Sequence, residues 1–284
     1  MLDRRQFVRI SAGAALGGLV GFESTPLIGA TQAAGARTLD RIGVQLYTVR
    51  TLSEKDFEGV LRAVAGIGFH EVEFHDYFGH SPQQVRSLLD ELGLDAPAAH
   101  FPWPDLRENI DGAIATAKTI GHRYVILAWL PPEDRSTLAQ YEDLVAFCNN
   151  AGEACRQAGL QFAYHNHDWE FQPLEGQVPF DLLLNETDPD LVDFEMDLYW
   201  ITKGGRSPFD YFDSHPGRFP LCHVKDMGTN QEWADVGSGQ IDFASIFARS
   251  EQAGLEYYFV EHDEPVDPLA SIQASFDHLE TLNY

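Results

Sequence analysis

The sequence predicts a single (β/α)8 TIM barrel of the α/β class over residues 37–284. Three observations lead there: a helix–glycine–strand phrase recurs along the chain, about eight such units fit its length, and no Pro- or Ser-rich linker divides it. Clear copies are AVAGIGFHEVEFH at 63–75, LLDELGLDAPAAH at 88–100, AKTIGHRYVILAW at 117–129, CRQAGLQFAYHNH at 155–167 and SEQAGLEYYFVEH at 250–262. The glycine suits the left-handed position that ends a helix. The β-branched and aromatic run after it reads as a parallel strand buried on both faces. In chain order, strands are expected near 42–47, 71–75, 96–100, 123–128, 161–166, 191–197, 219–225 and 257–261. A doubly wound open sheet is the alternative, but the Gly-rich phosphate fingerprint is missing after its first strand.

Residues 1–36 follow another plan. D-R-R-Q-F-V-R at 3–9 leads into a short apolar run, Ile10 to Val20, and small residues close the segment at Ala33, Ala34, Gly35 and Ala36. This is the layout of a cleavable signal of the twin-arginine type, so the mature protein is expected to be periplasmic or exported. The apolar run is too short and too rich in glycine to span a bilayer, and no stable membrane anchor is expected after processing. An uncleaved amphipathic anchor is the alternative.

Charge narrows the function further. The chain carries 19 Lys+Arg against 44 Asp+Glu, a net −25, and loss of 1–36 makes it one unit more acidic. That balance excludes a nucleic-acid binder, which needs cations to replace phosphate counterions, and a polybasic membrane-surface protein. With 44% hydrophobic residues the chain is not disordered. Cys148, Cys155 and Cys222 are too few and unpaired in number for a disulfide scaffold, and they read as buried fillers.

In a barrel of this kind, chemistry sits at the C-terminal strand ends. Here these ends are polar: Gln45 and Tyr47, Glu73 and His75, His100, Trp129, the segment Tyr164-His165-Asn166-His167-Asp168-Trp169-Glu170, Glu195 and Asp197, His223-Val224-Lys225-Asp226, and Glu261-His262. Asp197, His223 and Glu261 end three successive strands, and together they make a borderline-hard site for one divalent ion. Manganese is the first choice, with magnesium, iron or zinc as alternatives. The fourth ligand is expected from strand five, with Glu170 first and His165 or His167 in its place. Taken singly, Asp197 or Glu261 also reads as a cap on the next helix.

At these residues the sequence resembles the xylose isomerase-like sugar isomerase/epimerase family of TIM barrels. The resemblance spans roughly 41–280 and is most specific at M-D-L-Y-W (196–200), H-V-K-D (223–226), V-G-S-G-Q-I-D-F (236–243) and V-E-H (260–262). It implies one divalent metal held by Glu, Asp, His and Glu from strands five to eight, with Asp197, His223 and Glu261 in the last three places. The family's strand-five Glu is expected where this chain has Tyr164. Epimerase members use two catalytic Glu residues, and Y-H-N-H-D-W-E looks closer to a subgroup of dehydratases and proteins acting on keto-sugars.

The implied chemistry is proton abstraction next to a carbonyl through a metal-stabilised enediolate. Glu170 or His165 is the expected base. Lys225 is expected to neutralise the oxyanion or protonate a leaving oxygen, unless it forms a surface pair with Asp226. Tyr47, His75, His100, Trp129, His167 and Trp200 are the expected substrate contacts, with Trp169 beside them. The first function is a sugar isomerase/epimerase. A lyase or hydratase on keto-sugars or 3-keto-glycosides is the alternative, and a sugar-binding module without chemistry is a third class. The charge disfavours a phosphodiesterase. The expected partner is a small carbohydrate, with homo-oligomerisation left open.

Overall fold

Eight parallel strands close into a ring in the computed structural model, which describes residues 37–284. The barrel strands are β1 (Gly43–Gln45), β2 (Glu71–Phe74), β3 (Asp95–Phe101), β4 (Tyr124–Leu127), β5 (Gln161–His165), β6 (Val192–Asp197) and β7 (Leu221–Val224). A small antiparallel hairpin follows, β8 (Asp226–Met227) with β9 (Trp233–Ala234), and β10 (Tyr257–Val260) closes the ring against β1. Every expected barrel strand is present, with its ends shifted by about two residues or fewer. The hairpin was not expected. The export segment expected at 1–36 lies outside the described residues. Among the described residues, no helix is long and apolar enough to cross a membrane.

Helix endings follow the recurring glycine: Gly93, Gly121 and Gly254 stop their helices at φ of 68°, 98° and 86°. Only a residue without Cβ takes this conformation at no steric cost. The three cysteines are free and buried.

Strand alternation then sorts the core. Every second side chain points into the barrel, and the inward series in several strands changes from apolar to polar toward the C-terminal end. Ala98 precedes His100, Ala163 precedes His165, Leu221 precedes His223, and Phe259 precedes Glu261. Ala98, Tyr124, Ile126, Ala163, Leu221, Tyr257 and Phe259 form one apolar plug inside the barrel. A larger apolar layer joins the outer strand faces to the helices, with Val72, Leu89, Phe162 and Phe194 among its fully buried members. The polar residues therefore rest on a packed floor.

One buried histidine lies away from that mouth. His122 gives its Nδ1–H to the Ala96 carbonyl at 2.6 Å, and its Nε2 accepts from the Tyr77 hydroxyl at 2.9 Å. Burial pushes its pKa down to about 4. The unfolded chain protonates this side chain near 6.5 and the folded chain only near 4, so the neutral core position stabilises the fold above 6.5. That stability falls away as pH drops through this window, by about 3 kcal/mol in all. Urea unfolding at pH 7 and pH 4.5 should show a smaller acid loss in His122→Gln than in wild type. Equal losses would remove His122 as a contributor.

Candidate active and metal site

Strand register brings the polar residues together. Pairing of β5 with β6 sets His165 beside Glu195, pairing of β6 with β7 sets Asp197 beside His223, and pairing of β1 with β2 sets Gln45 beside Glu73. Suitable donor atoms of Asp197, His223 and Glu261 all lie within 4.8 Å of one another. His223 Nδ1 is 2.8 Å from Glu261 Oε2 and 3.7 Å from Asp197 Oδ2. The strand-end carboxylate of Asp197 is also a helix cap, since its Oδ1 accepts from Trp200 N at 2.8 Å. That leaves Oδ2 buried without a hydrogen bond, facing His165 Nε2 at 3.8 Å and Lys225 Nζ at 3.1 Å.

The strand-five position is different from the one expected. Glu170 is fully buried, and its oxygens accept from the Tyr164 hydroxyl at 2.7 Å and the His167 backbone N–H at 2.8 Å. It lies outside the converging groups, because the turn Trp169–Phe171 folds its side chain back toward β5. Burial pushes its pKa up to about 7. His165 takes the place beside Asp197 instead. Burial and the charge of His223 depress its pKa to about 3, so the imidazole is neutral and Nε2 keeps a lone pair.

Beneath these groups lie two carboxylates with no exposed surface, Glu73 and Glu195. Glu195 Oε2 accepts from His165 Nδ1 at 2.9 Å and from His100 Nε2 at 2.8 Å. Glu73 Oε2 accepts from His223 Nε2 at 2.7 Å and from Gln45 Nε2 at 2.8 Å. Burial alone would raise Glu195, but the charge of His223 and the imidazole hydrogen bonds hold it well below the usual range. Burial and the charge of Glu195 push Glu73 up to about 7. Glu195 anchors His165, and Glu73 anchors His223, by the ring nitrogen remote from Asp197, which fixes the other nitrogen toward the cluster. The sequence reading assigned these two glutamates no role. The available signal was E-x-D at 195–197 and E-x-H at 73–75, a spacing that puts both members of each pair on one strand face.

Lys225 is buried, which overturns the alternative of a surface pair with Asp226. Neighbours along a strand face opposite ways. Lys225 Nζ points inward to Asp197, to Glu261 at 2.6 Å and to Asp263 at 2.8 Å. Burial opposes its charge, but these carboxylates hold its pKa well above the ordinary value. Asp226 turns the other way and accepts from the N–H groups of Met227, Gly237, Gly239 and Ile241 at 2.8–3.1 Å. In the Gly237-Ser238-Gly239 loop the two glycine N–H groups are therefore committed to Asp226, and the Ser238 N–H and hydroxyl to the Asp235 carbonyl.

A cavity of about 590 Å³ opens above the cluster. Tyr47, His75, His100, Trp129, His165, His167, Trp200, Lys225 and Glu261 all line it, with Trp103 and Trp169 completing the aromatic wall. Asp197, His223 and Glu170 do not line it. Trp129 is 52% exposed at the rim, and His167 stacks on Trp169 at 4.1 Å with its Nδ1 unpartnered. Burial and the nearby His165 and Lys225 hold His167 well below its ordinary pKa, whereas carboxylates Glu73 and Glu195 outweigh burial and raise His100. The wall is apolar and the floor is ionic. Such a cavity binds a polyhydroxylated ring by its faces and its oxygens together.

These features define an enzyme site on a TIM barrel, and comparison with known proteins names the family. A family model described as the xylose isomerase-like TIM barrel matches residues 61–282, and the chain belongs to that family. The inosose dehydratase of Geobacillus kaustophilus is 24% identical over 231 residues, covering 67% of this chain and 74% of that protein. A sugar phosphate isomerase/epimerase from Parabacteroides distasonis is similar in structure, with a TM-score of 0.74 at 25% identity, covering 85% of this chain and 98% of that one. The IOLI protein, solved with a bound zinc atom, has a TM-score of 0.68 at 15% identity over 84% of this chain and 95% of its own, a likeness that speaks to the fold alone.

If His165 rather than Glu170 completes the donor set, the two shells respond differently to mutation. Glu195→Gln should weaken metal binding about 10- to 100-fold in a chelator competition, because His165 loses its charged anchor. Glu170→Gln should leave metal affinity unchanged. Loss of metal from the Glu170 variant with retention in the Glu195 variant would reverse the assignment.

Proposed function

We propose that this protein is a metal-dependent carbon–oxygen lyase that removes a proton next to a carbonyl of a polyhydroxylated substrate and expels a β-oxygen. The donor set fits a divalent ion: Asp197, His223 and Glu261 converge, His165 Nε2 stands 3.8 Å from Asp197 Oδ2, and these four would hold it, with Asp197 Oδ2 a buried acceptor without a hydrogen bond. The bound ion would polarise the substrate carbonyl as a Lewis acid. The IOLI protein, similar in fold, was solved with a bound zinc atom.

The observation that carries the reaction is two imidazoles on one cavity whose surroundings drive their protonation in opposite directions. His167 is neutral, with an unpartnered Nδ1, and takes the proton from carbon. The electron pair of the broken C–H bond delocalises onto the carbonyl oxygen, where Lys225 holds the developing charge. As the carbonyl re-forms, the β C–O bond breaks, and the leaving oxygen takes its proton from His100, whose charge Glu195 sustains. Paired groups whose surroundings drive their protonation apart are the usual basis of acid and base roles. Glu170 stands outside the cavity and serves as a positioning residue for the His167 backbone.

The expectation of an isomerase or epimerase becomes the second reading, favoured by the Parabacteroides distasonis neighbour. Elimination comes first because relatives of this chain are named inosose dehydratase. The expected export signal would place this chemistry outside the cytoplasm.

Incubation with an inosose in D2O distinguishes these readings. Elimination gives an unsaturated ketone absorbing in the ultraviolet, and His167→Ala should lower kcat by about 100-fold or more with metal content retained. Deuterium entering the carbon next to the carbonyl without loss of water would favour isomerisation. Neither exchange nor water loss would sink both for this substrate class.

A further inference from the structure

The cavity above the donor cluster continues past His75 and His100. A second cavity of about 540 Å³ adjoins it, and the two share His75, His100, Phe101 and Pro102. Its outer wall bears Asp76 from the loop after β2, and Asp105 and Glu108 from the start of helix Trp103–Ile120. No residue lining it is Lys or Arg. Between the two spaces, His75 stands edge-on to Tyr47 at 5.2 Å and leaves its buried Nδ1 unpartnered.

We infer that this adjoining cavity is a second binding subsite, taking a neutral, hydroxyl-bearing substituent attached to the reacting ring, such as the second sugar of a glycoside. The inference rests on the reading above that the reacting ring lies over Asp197, His223 and Glu261. Size is the first argument. One sugar ring leaves much of the 590 Å³ cavity free, and the extension beyond His75 offers a comparable volume.

Charge decides the chemistry. Carboxylates accept hydrogen bonds and donate none when ionised, so the occupant must bring donors, which hydroxyls do. A phosphate or uronate brings negative charge against Asp76, Asp105 and Glu108, with no lining Lys or Arg to receive it and with His100 already paired to Glu195. Phe101 and Pro102 supply the apolar strip that a sugar face covers. The floor is narrow in side-chain bulk: Gly112 has none, and an added Cβ there would stand 2.3 Å from the Asn109 amide. Asn109 breaks the helix at φ −153° and ψ 61° and caps Gly112 N at 3.1 Å. Binding energy collected there, remote from the reacting carbons, would orient the first ring.

Equilibrium binding tests this without requiring turnover. Glucose and its α- and β-linked disaccharides would be titrated into the purified full chain and into Thr116→Trp, which fills the floor of the second cavity, with circular dichroism confirming the fold. At least one disaccharide should bind wild type about tenfold more tightly than glucose. Thr116→Trp should abolish that advantage and leave glucose binding unchanged. A phosphate on the second ring should weaken binding to wild type, and Asp105→Asn with Glu108→Gln should relieve the penalty. Equal affinity for glucose and every disaccharide would overturn the subsite, as would a Thr116→Trp variant that weakens both alike. A protein that shows the disaccharide preference but never exchanges a substrate proton keeps the subsite and loses the proposed reaction.

Discussion

Burying carboxylates in the mouth of a barrel is costly unless each finds a proton donor, and this constraint organises the rest of the structure. Glu73 and Glu195 have no exposed surface, and four side chains on four other strands donate to one oxygen of each, Gln45, His100, His165 and His223, while the second oxygen of each stays without a hydrogen bond. Removing either carboxylate would leave imidazole N–H groups buried and unpaired, at a cost of about 1–3 kcal/mol each. The network therefore acts in two ways. It ties six of the eight barrel strands through side chains, and it turns His165 and His223 so that their other nitrogens meet Asp197 and Glu261.

A division of labour follows from strand alternation. The apolar plug of residues such as Ala98, Ile126 and Phe259 closes the barrel below and keeps water out from that side. Above it lie carboxylates and imidazoles, then aromatic walls, then the open rim at Trp129 and Tyr47. Electrostatic interactions on such a floor are stronger than in water because the surroundings are poorly polarisable. This is why Lys225 remains an ammonium ion although almost wholly buried, and why neighbouring histidines differ so much in protonation. Asp226 completes the division by facing outward, where four backbone N–H groups fix the loop that borders β8 and β9.

Much of this was legible beforehand. The recurring glycine marks chain reversals that no β-branched residue tolerates, so the eight strands could be counted and placed closely. The cluster Asp197, His223 and Glu261 was readable because consecutive strands of a closed parallel barrel deliver their ends to one rim. The cavity lining at Tyr47, His75, His100, Trp129, His167 and Trp200 was readable for the same reason. Glu170 was misplaced because proximity in sequence says nothing about a side chain in a turn, and here that turn returns it to Tyr164. Lys225 had two opposed readings, which only the facing of β7 separated.

The sequence by itself determined the barrel, its direction and the set of polar residues at its mouth, because periodicity and helix-ending glycines are local properties of the chain. Tertiary structure alone decided which nitrogen of each histidine faces the cluster, that Glu73 and Glu195 lie beneath it, and that His165 rather than Glu170 stands beside Asp197. Those outcomes depend on register between strands distant in sequence and on competition for buried hydrogen bonds, and neither is written in any single segment.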